Sequence, residues 1–317
     1  MMGGALAELW AEPMQQRLLS PELIHVAAAG EARGRVVLAV FHTAPAMAAI
    51  DAALTLAQAF DANLEALLIE CPDAVALAAH TFAREISHGG RTNRLRSGPV
   101  LASQRVQKGI ATAMISDKAV HAKVGHTVTV VAAAYADAVR DACDTQGPWN
   151  IVVRAEAMGP RDGPALRECL HETPGATGLV VVGAQKPRNG GDVIVVVEDV
   201  DRLTQMVRAA QRIAAAVGAS GSWAPSIRIL LAGPREEVDA LDGLVRLAVP
   251  TRRLAGGTDV VIDPYRLTFG THAELSEAIR TLEGCFVVCR YGGVVLPSDG
   301  EPNQLAQSLR GPLLLVR

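Results

Sequence analysis

Three groups of residues have types and spacings that chemistry could use. The apolar run at 36–42 ends in His42-Thr43, and the run at 192–198 ends in Glu198-Asp199. The carboxyl end of a parallel strand is where open α/β sheets hold ligands. An imidazole and a hydroxyl there could meet a phosphate or sugar, and two carboxylates a ribose or base. The plainer alternatives are a histidine capping local backbone and acids favoured at a helix N-terminus by the dipole. The second group is Arg84, Arg91, Arg94 and Arg96, gathered around a Gly-Gly turn. They suit a phosphate or an acidic partner, against the plainer reading of a solvated loop. No aromatic residues interleave them, which argues against single-stranded nucleic acid.

The third group is Cys285 and Cys289 in "CFVVC". In a strand they share one face roughly 13 Å apart at about 3.3 Å per residue, too far for a disulfide. The other cysteines are scattered and form no CxxC, so the set reads as reduced structural thiols in a cytoplasmic protein. His121 and His126 are five apart, a poor spacing for a helical metal pair. The sequence contains no HExxH, Walker loop, GxSxG elbow or convincing triad. A catalytic reading therefore has no nucleophile or base to name, and no metal site is expected.

These residues must be held by elements built largely from Ala, Val, Leu and Ile, because half of the 317 residues are hydrophobic but only 3% are aromatic. That composition suits parallel strands covered by closely packed helices. A net charge of −3 gives no electrostatic case for nucleic acid. The N-terminal region lacks a signal-peptide pattern, and the longest weakly charged run is too short and Ala-rich to span a bilayer.

"VVLAVFHTAPAMAAIDAALTLAQAFDANLEALLIE" reads as strand, helix, strand. Thr43 is expected to cap the helix, Pro45 to lie in its first turn, and Met47, Ile50, Leu54 and Ala57 to form its buried stripe. The unit recurs about 156 residues later, as strand 192–198, helix 201–217 and strand 226–232, so a domain is duplicated in tandem. "WNIVVRAEA" and "GLVVVGA" match "TDVVIDP" and "CFVVCRY" on this reading. The final "PLLLVR" then has no counterpart in the first half. "HTVTVVAAAY" is expected to belong to a long helix running to about Asp144, since "AAAYADAVRDAC" continues it without a breaker.

The expected organisation is a helical extension at 1–34, a first domain at 35–186 with an insertion at about 72–98, and a second domain at 190–317. "ALAELWAEPMQQRLL" carries an amphipathic stripe of Leu6, Leu9, Trp10, Met14 and Leu18. Lys186 to Gly191 reads as a solvated interdomain linker rich in turn formers rather than an anion cradle.

In this order of elements the chain resembles the universal stress protein family in tandem arrangement. The segments that carry the resemblance are "RVVLAVFHTAPAMAAIDAALTLAQAFDANLEALLIE", "WNIVVRAEAM…GLVVVGA", "DVIVVVEDVDRLTQMVRAAQRIAAAVGA" and "GCFVVCRY…PLLLVR". The resemblance implies two Rossmann-like domains of the adenine nucleotide alpha hydrolase-like type. Family members that bind ATP keep an acid after the first strand and a G-x-x-G loop followed later by G-S or G-T, whose bare N–H groups reach the phosphates. Here His42 replaces the acid in the first half, and Gly183 begins a loop with no second glycine in position. The second half keeps Glu198 and Asp199, but "CRYGGVVLPSDG" is off pattern.

A non-catalytic, universal-stress-type scaffold acting through a protein partner or self-association is the leading expectation, with no cofactor. A sensor binding ATP or AMP in a variant cradle, at 42–44 or 198–201, is the alternative, and an enzyme of another α/β nucleotide class the third. The resemblance also implies a possible homodimer through the C-terminal strand. The insertion is expected to be the partner-binding element, unless Leu77, Phe82 and Ile86 merely close their own domain.

Overall fold

A computed structural model describes residues 34–41, 45–70, 72–87, 89–145, 149–156, 175–183, 191–220, 225–233, 235–248, 260–267, 277, 279–282, 284–293 and 309–317. The expectations for the segment 1–33, for His42 and Thr43, and for the linker at 186–190 lie outside the described residues.

β1 (Arg35–Phe41) and β2 (Asn63–Glu70) flank α1 (Met47–Phe60). The strands read as nearly unbroken apolar runs because both faces of the sheet are covered. α1 starts after Ala46, which is extended and offers no side-chain cap, so Pro45 precedes the first turn instead of lying in it. Ile50, Leu54 and Ala57 are buried as expected, whereas Met47 is exposed. Asp61, at φ 49° and ψ 45°, turns the chain out of the helix in the left-handed conformation.

After β2 come α2 (Pro72–Ala79) and a hairpin of β3 (Arg84–Ile86) with β4 (Thr92–Arg94). Then follow α3 (Ser97–His121), β5 (His126–Ala132) and α4 (Tyr135–Thr145). The expected single helix to Asp144 is thus interrupted by a strand. Val124 and Lys123 close α3 with backbone bonds to Ala119 and Val120, and Lys123 sits at φ 56°. Beyond that stop, Thr127, Val128, Thr129, Val130 and Val131 are β-branched, and they pair in register with β2.

β6 (Asn150–Arg154) and β7 (Ala176–Val181) complete the five strands that the first half gives to the main sheet. The second half has β8 (Val193–Val197), α5 (Leu203–Ser220), β9 (Ile227–Ala232) and α6 (Arg235–Ala248). It continues with β10 (Val260–Leu267), β11 (Phe286–Arg290) and β12 (Leu313–Val316). All ten long strands form one sheet, ordered β10-β9-β8-β11-β12-β7-β6-β1-β2-β5. Read inward from either end, each half gives its third, second, first, fourth and fifth strands. β6 therefore matches β11, and β7 matches β12, one place later than the sequence pairing. The final strand β12 thus has a first-half counterpart in β7, and β5 is the counterpart of β10.

Every pair in this sheet is parallel except β7 with β12. That antiparallel seam joins the halves, with Leu313 opposite Val181 and Leu315 opposite Leu179. The C-terminal strand is consequently no sheet edge. Both its edges are taken within the chain, by β11 and β7.

One face is covered by α1, the second half of α3, α5 and α6, whose apolar residues form a core running through both halves. The other face is covered in the first half by α4, through Ala138, Val139, Ala142 and Cys143. At the amino ends each half ties its first strand to its second with an ion pair of opposite polarity. Arg35 bonds Glu65 in one, and Arg228 meets Asp192 at 3.0 Å in the other. Arg35 is almost wholly buried and also donates to Asn150 Oδ1 at 3.2 Å and to the Ala142 carbonyl.

Candidate functional site

In each half the chain order reverses between the first and fourth strands, which is where a doubly wound sheet opens a crevice at its carboxyl ends. The seam between β7 and β12 is antiparallel, so the two crevices open at opposite rims. Glu198 and Asp199 lie at one rim, while Gly183 and the strand leading to His42 and Thr43 lie at the other. Glu198 and Asp199 therefore stand apart from Gly183.

In the second half, Asp199 Oδ2 accepts a hydrogen bond from Arg290 Nη1 at 2.9 Å. Its Oδ1 accepts from the backbone N–H of Arg202 at 3.0 Å, in the manner of a helix cap for α5. Arg202 also donates to the Arg317 carbonyl, drawing the end of β12 toward the site. Glu198 lies against the turn after β11, where Gly292 has φ 77°. A Cβ on Gly293 would overlap the Glu198 carboxylate, so the glycine is what lets this backbone approach the acid.

The first half has polar contacts at the corresponding place, made by other residues. The backbone N–H of Phe41 donates to the Glu156 carboxylate. Arg154 Nε is 3.9 Å from the second oxygen of Glu156. Tyr135, at the start of α4, stands edge-on to Phe41 with ring centroids 5.8 Å apart, and the Arg154 guanidinium lies 5.8 Å from the Tyr135 ring centroid. Gly183 is half-buried two strands away.

Arg154, Glu156, Tyr135 and Arg290 were not singled out from the sequence. A signal existed: "NIVVR" and "FVVCR" each end the fourth strand of a half in arginine. In both halves the cation at the crevice already faces a carboxylate of the same half. An incoming phosphate would have to compete with that carboxylate.

Behind the second crevice, Cys285 and Cys289 are buried free thiols. Burial, reinforced by Asp192, pushes the Cys285 thiol up to about 12. Burial and then Glu198 raise Cys289 as well. Neither has the depressed pKa of a reactive thiol. Among the described residues no cluster of metal-ligating side chains occurs, and no helix is long and apolar enough to cross a membrane.

The four arginines of the insertion come together on a separate feature. The β3–β4 hairpin is exposed throughout, with Arg84 directly opposite Arg94, and Arg91 and Arg96 beside it. Leu77 is 57% exposed, Phe82 89% and Ile86 75%, so these residues do not close their own domain. α2 packs on α3, which the Lys108–Glu70 pair ties to the end of β2. The eleven residues from Ser97 to Gln107 precede that tie; at about 1.5 Å per residue they span roughly 16 Å.

No protein-family model matches this chain, and no curated protein matches it. Solved structures do. A universal stress protein from Archaeoglobus fulgidus DSM 4304 aligns with a TM-score of 0.54 at 9% identity, over 90% of this chain and 97% of that one. A functionally unknown protein from Pseudomonas aeruginosa PAO1 aligns at 0.50 and 11% identity, over 90% and 92%. The cytoplasmic domain of a prokaryotic cation chloride cotransporter gives 0.50 and 10%, over 90% and 95%. At these identities the likeness is one of fold: a mostly parallel α/β sheet of the universal stress, adenine nucleotide alpha hydrolase-like kind.

Proposed function

We propose that this chain is a non-catalytic, universal-stress-type protein of two tandem domains, divided between β7 and β8, that works in the cytoplasm through protein association. The observation that carries the reading is that polar groups at both crevices are already engaged within the chain, Asp199 with Arg290 and Glu156 with the Phe41 N–H. The exposed α2–hairpin arm supports it, because Arg84 stands directly opposite Arg94, and like charges so placed are destabilising. An acidic protein surface would relieve that repulsion and cover Phe82 and Ile86. Native mass spectrometry of the purified protein tests the reading. The expected spectrum holds no nucleotide, and a stoichiometric adenine nucleotide would overturn it.

A nucleotide sensor is the second reading, favoured by one observation. Glu198, Asp199 and Arg290 sit at the strand-order reversal where such folds hold ligands. On that reading ATP or AMP would displace Asp199 from Arg290.

A further inference from the structure

We propose that two copies of this chain associate through β5, pairing it antiparallel with its twin so that the sheet continues from one molecule into the next. This goes beyond the function proposed above and does not depend on it, since a nucleotide sensor could associate in the same way.

Among the described residues, β5 is the outermost strand at its end of the sheet and pairs only with β2. Its seven residues, HTVTVVA, run in unbroken register and contain no lysine, arginine, acid or proline. Edge strands are ordinarily kept from pairing by one of those residues, by a bulge or by a covering element. β5 has none of the first two, and Thr127, Thr129 and Val130 are exposed.

The strand is also complementary to itself. An antiparallel pair centred on Thr129 sets Thr129 against Thr129, Val128 against Val130, and Thr127 against Val131. These are uncharged β-branched pairs of the kind that stabilise ladders, and no like charges meet. A two-fold pair of identical patches gives a closed dimer.

α3, which packs on β5 and α1, points to the same occupant. Its inner face, Ala111, Ile115 and Ala119, is buried. Its outer face repeats the apolar pattern with Ala102, Val106, Ile110, Ala113 and Val120, all exposed, with Asp117 as the charged member. A helix apolar on opposite faces is one that is covered on both. The chain already makes one junction of this kind, the antiparallel β7–β12 seam with α1 packed against α5.

Sedimentation or light scattering of the full chain tests the proposal. The expected mass is about 66 kDa, twice the 33.2 kDa of one chain. Thr129→Lys sets two ammonium groups against each other, and Ile110→Glu charges the outer face of α3. Each is expected to shift the protein to monomer with its circular dichroism unchanged. Amide exchange of the wild type covers the case in which a variant misfolds: protection of 126–132 should rise with protein concentration. A wild type that stays monomeric to high concentration overturns the proposal. So does a dimer that survives both substitutions, or one in which β5 amides exchange at a concentration-independent rate.

Discussion

Asp199 holds Arg290 at 2.9 Å across the carboxyl ends of β8 and β11, and the same carboxylate caps the start of α5. One acid thus occupies the cation that a phosphate would need and also fixes a helix N-terminus. Mg-ATP should bind the wild type no more tightly than about 100 μM, near 5.5 kcal/mol. Asp199→Ala should bind it more tightly by freeing Arg290, and should lose about 1 kcal/mol of stability with the cap. The half-exposed ion pair itself contributes little. Calorimetric titration checks both, and micromolar binding by the wild type that Glu198→Ala abolishes would favour the sensor.

A side chain at Gly293 would displace the Glu198 carboxylate. Gly293→Ala makes the flexible Glu198 side chain swing aside and is expected to destabilise by less than about 1 kcal/mol. Adding Glu198→Ala removes the obstacle, so the double variant should recover most of that loss. Denaturant melts of the three proteins measure the coupling.

Glu65→Ala removes one carboxylate from the buried Arg35 guanidinium, which keeps its bonds to Asn150 and the Ala142 carbonyl, and should cost about 1.5–3 kcal/mol. Arg35→Met removes the donor from the Glu65 carboxylate, Asn150 Oδ1 and the Ala142 carbonyl together and should cost more than this. Asn150 would still hold its own bonds to the carbonyls of Cys143 and Gly175. Thermal unfolding of the two variants ranks them.

Cys285 and Cys289 should resist alkylation in the folded protein at pH 8 and react once it is unfolded. Their raised folded pKa values also set a pH dependence. Below 9.0, the ordinary thiol value, both states are protonated and stability is unaffected. As pH rises from there toward about 12, the unfolded thiols ionise while the folded ones do not, so stability is lost. Each thiol removes about 1.4 kcal/mol per pH unit in that window. Peptide-resolved alkylation and melts between pH 8 and pH 11 check both statements.

Replacing Arg91, Arg94 and Arg96 together by alanine should leave the melting temperature nearly unchanged, since exposed charges contribute little. Removing Arg94 even relieves the repulsion with Arg84. Partner capture by the intact protein and its loss in the triple variant would support the arm as a binding element. Equal capture by both would leave it a solvated loop.

The strand–helix–strand units were legible because long apolar runs with both faces covered leave little ambiguity, as at Val36–Val40 and Val193–Val197. β5 was missed because an edge strand buries little and its apolar residues run into those of α4. The usable signals were Gly125 after the left-handed Lys123, and alternating threonine and valine. Mistaking that one strand shifted the matching of β6 and β7. The site was half legible. Glu198 and Asp199 could be located by their place after β8, but their partners come from β11, 91 residues away for Arg290, and from a glycine whose role only close approach reveals.

The seam between β7 and β12 has a consequence for synthesis. Leu313 faces Val181, so 132 residues (313 − 181) separate the two sides of that ladder. At about 5–20 residues per second, β7 leaves the ribosome roughly 7–26 seconds before its partner exists. During that interval Leu179, Val180 and Val181 form an open apolar edge on an otherwise finished half. The nascent chain is then most exposed to misassembly, and a chaperone that shields strand edges would have its longest opportunity there.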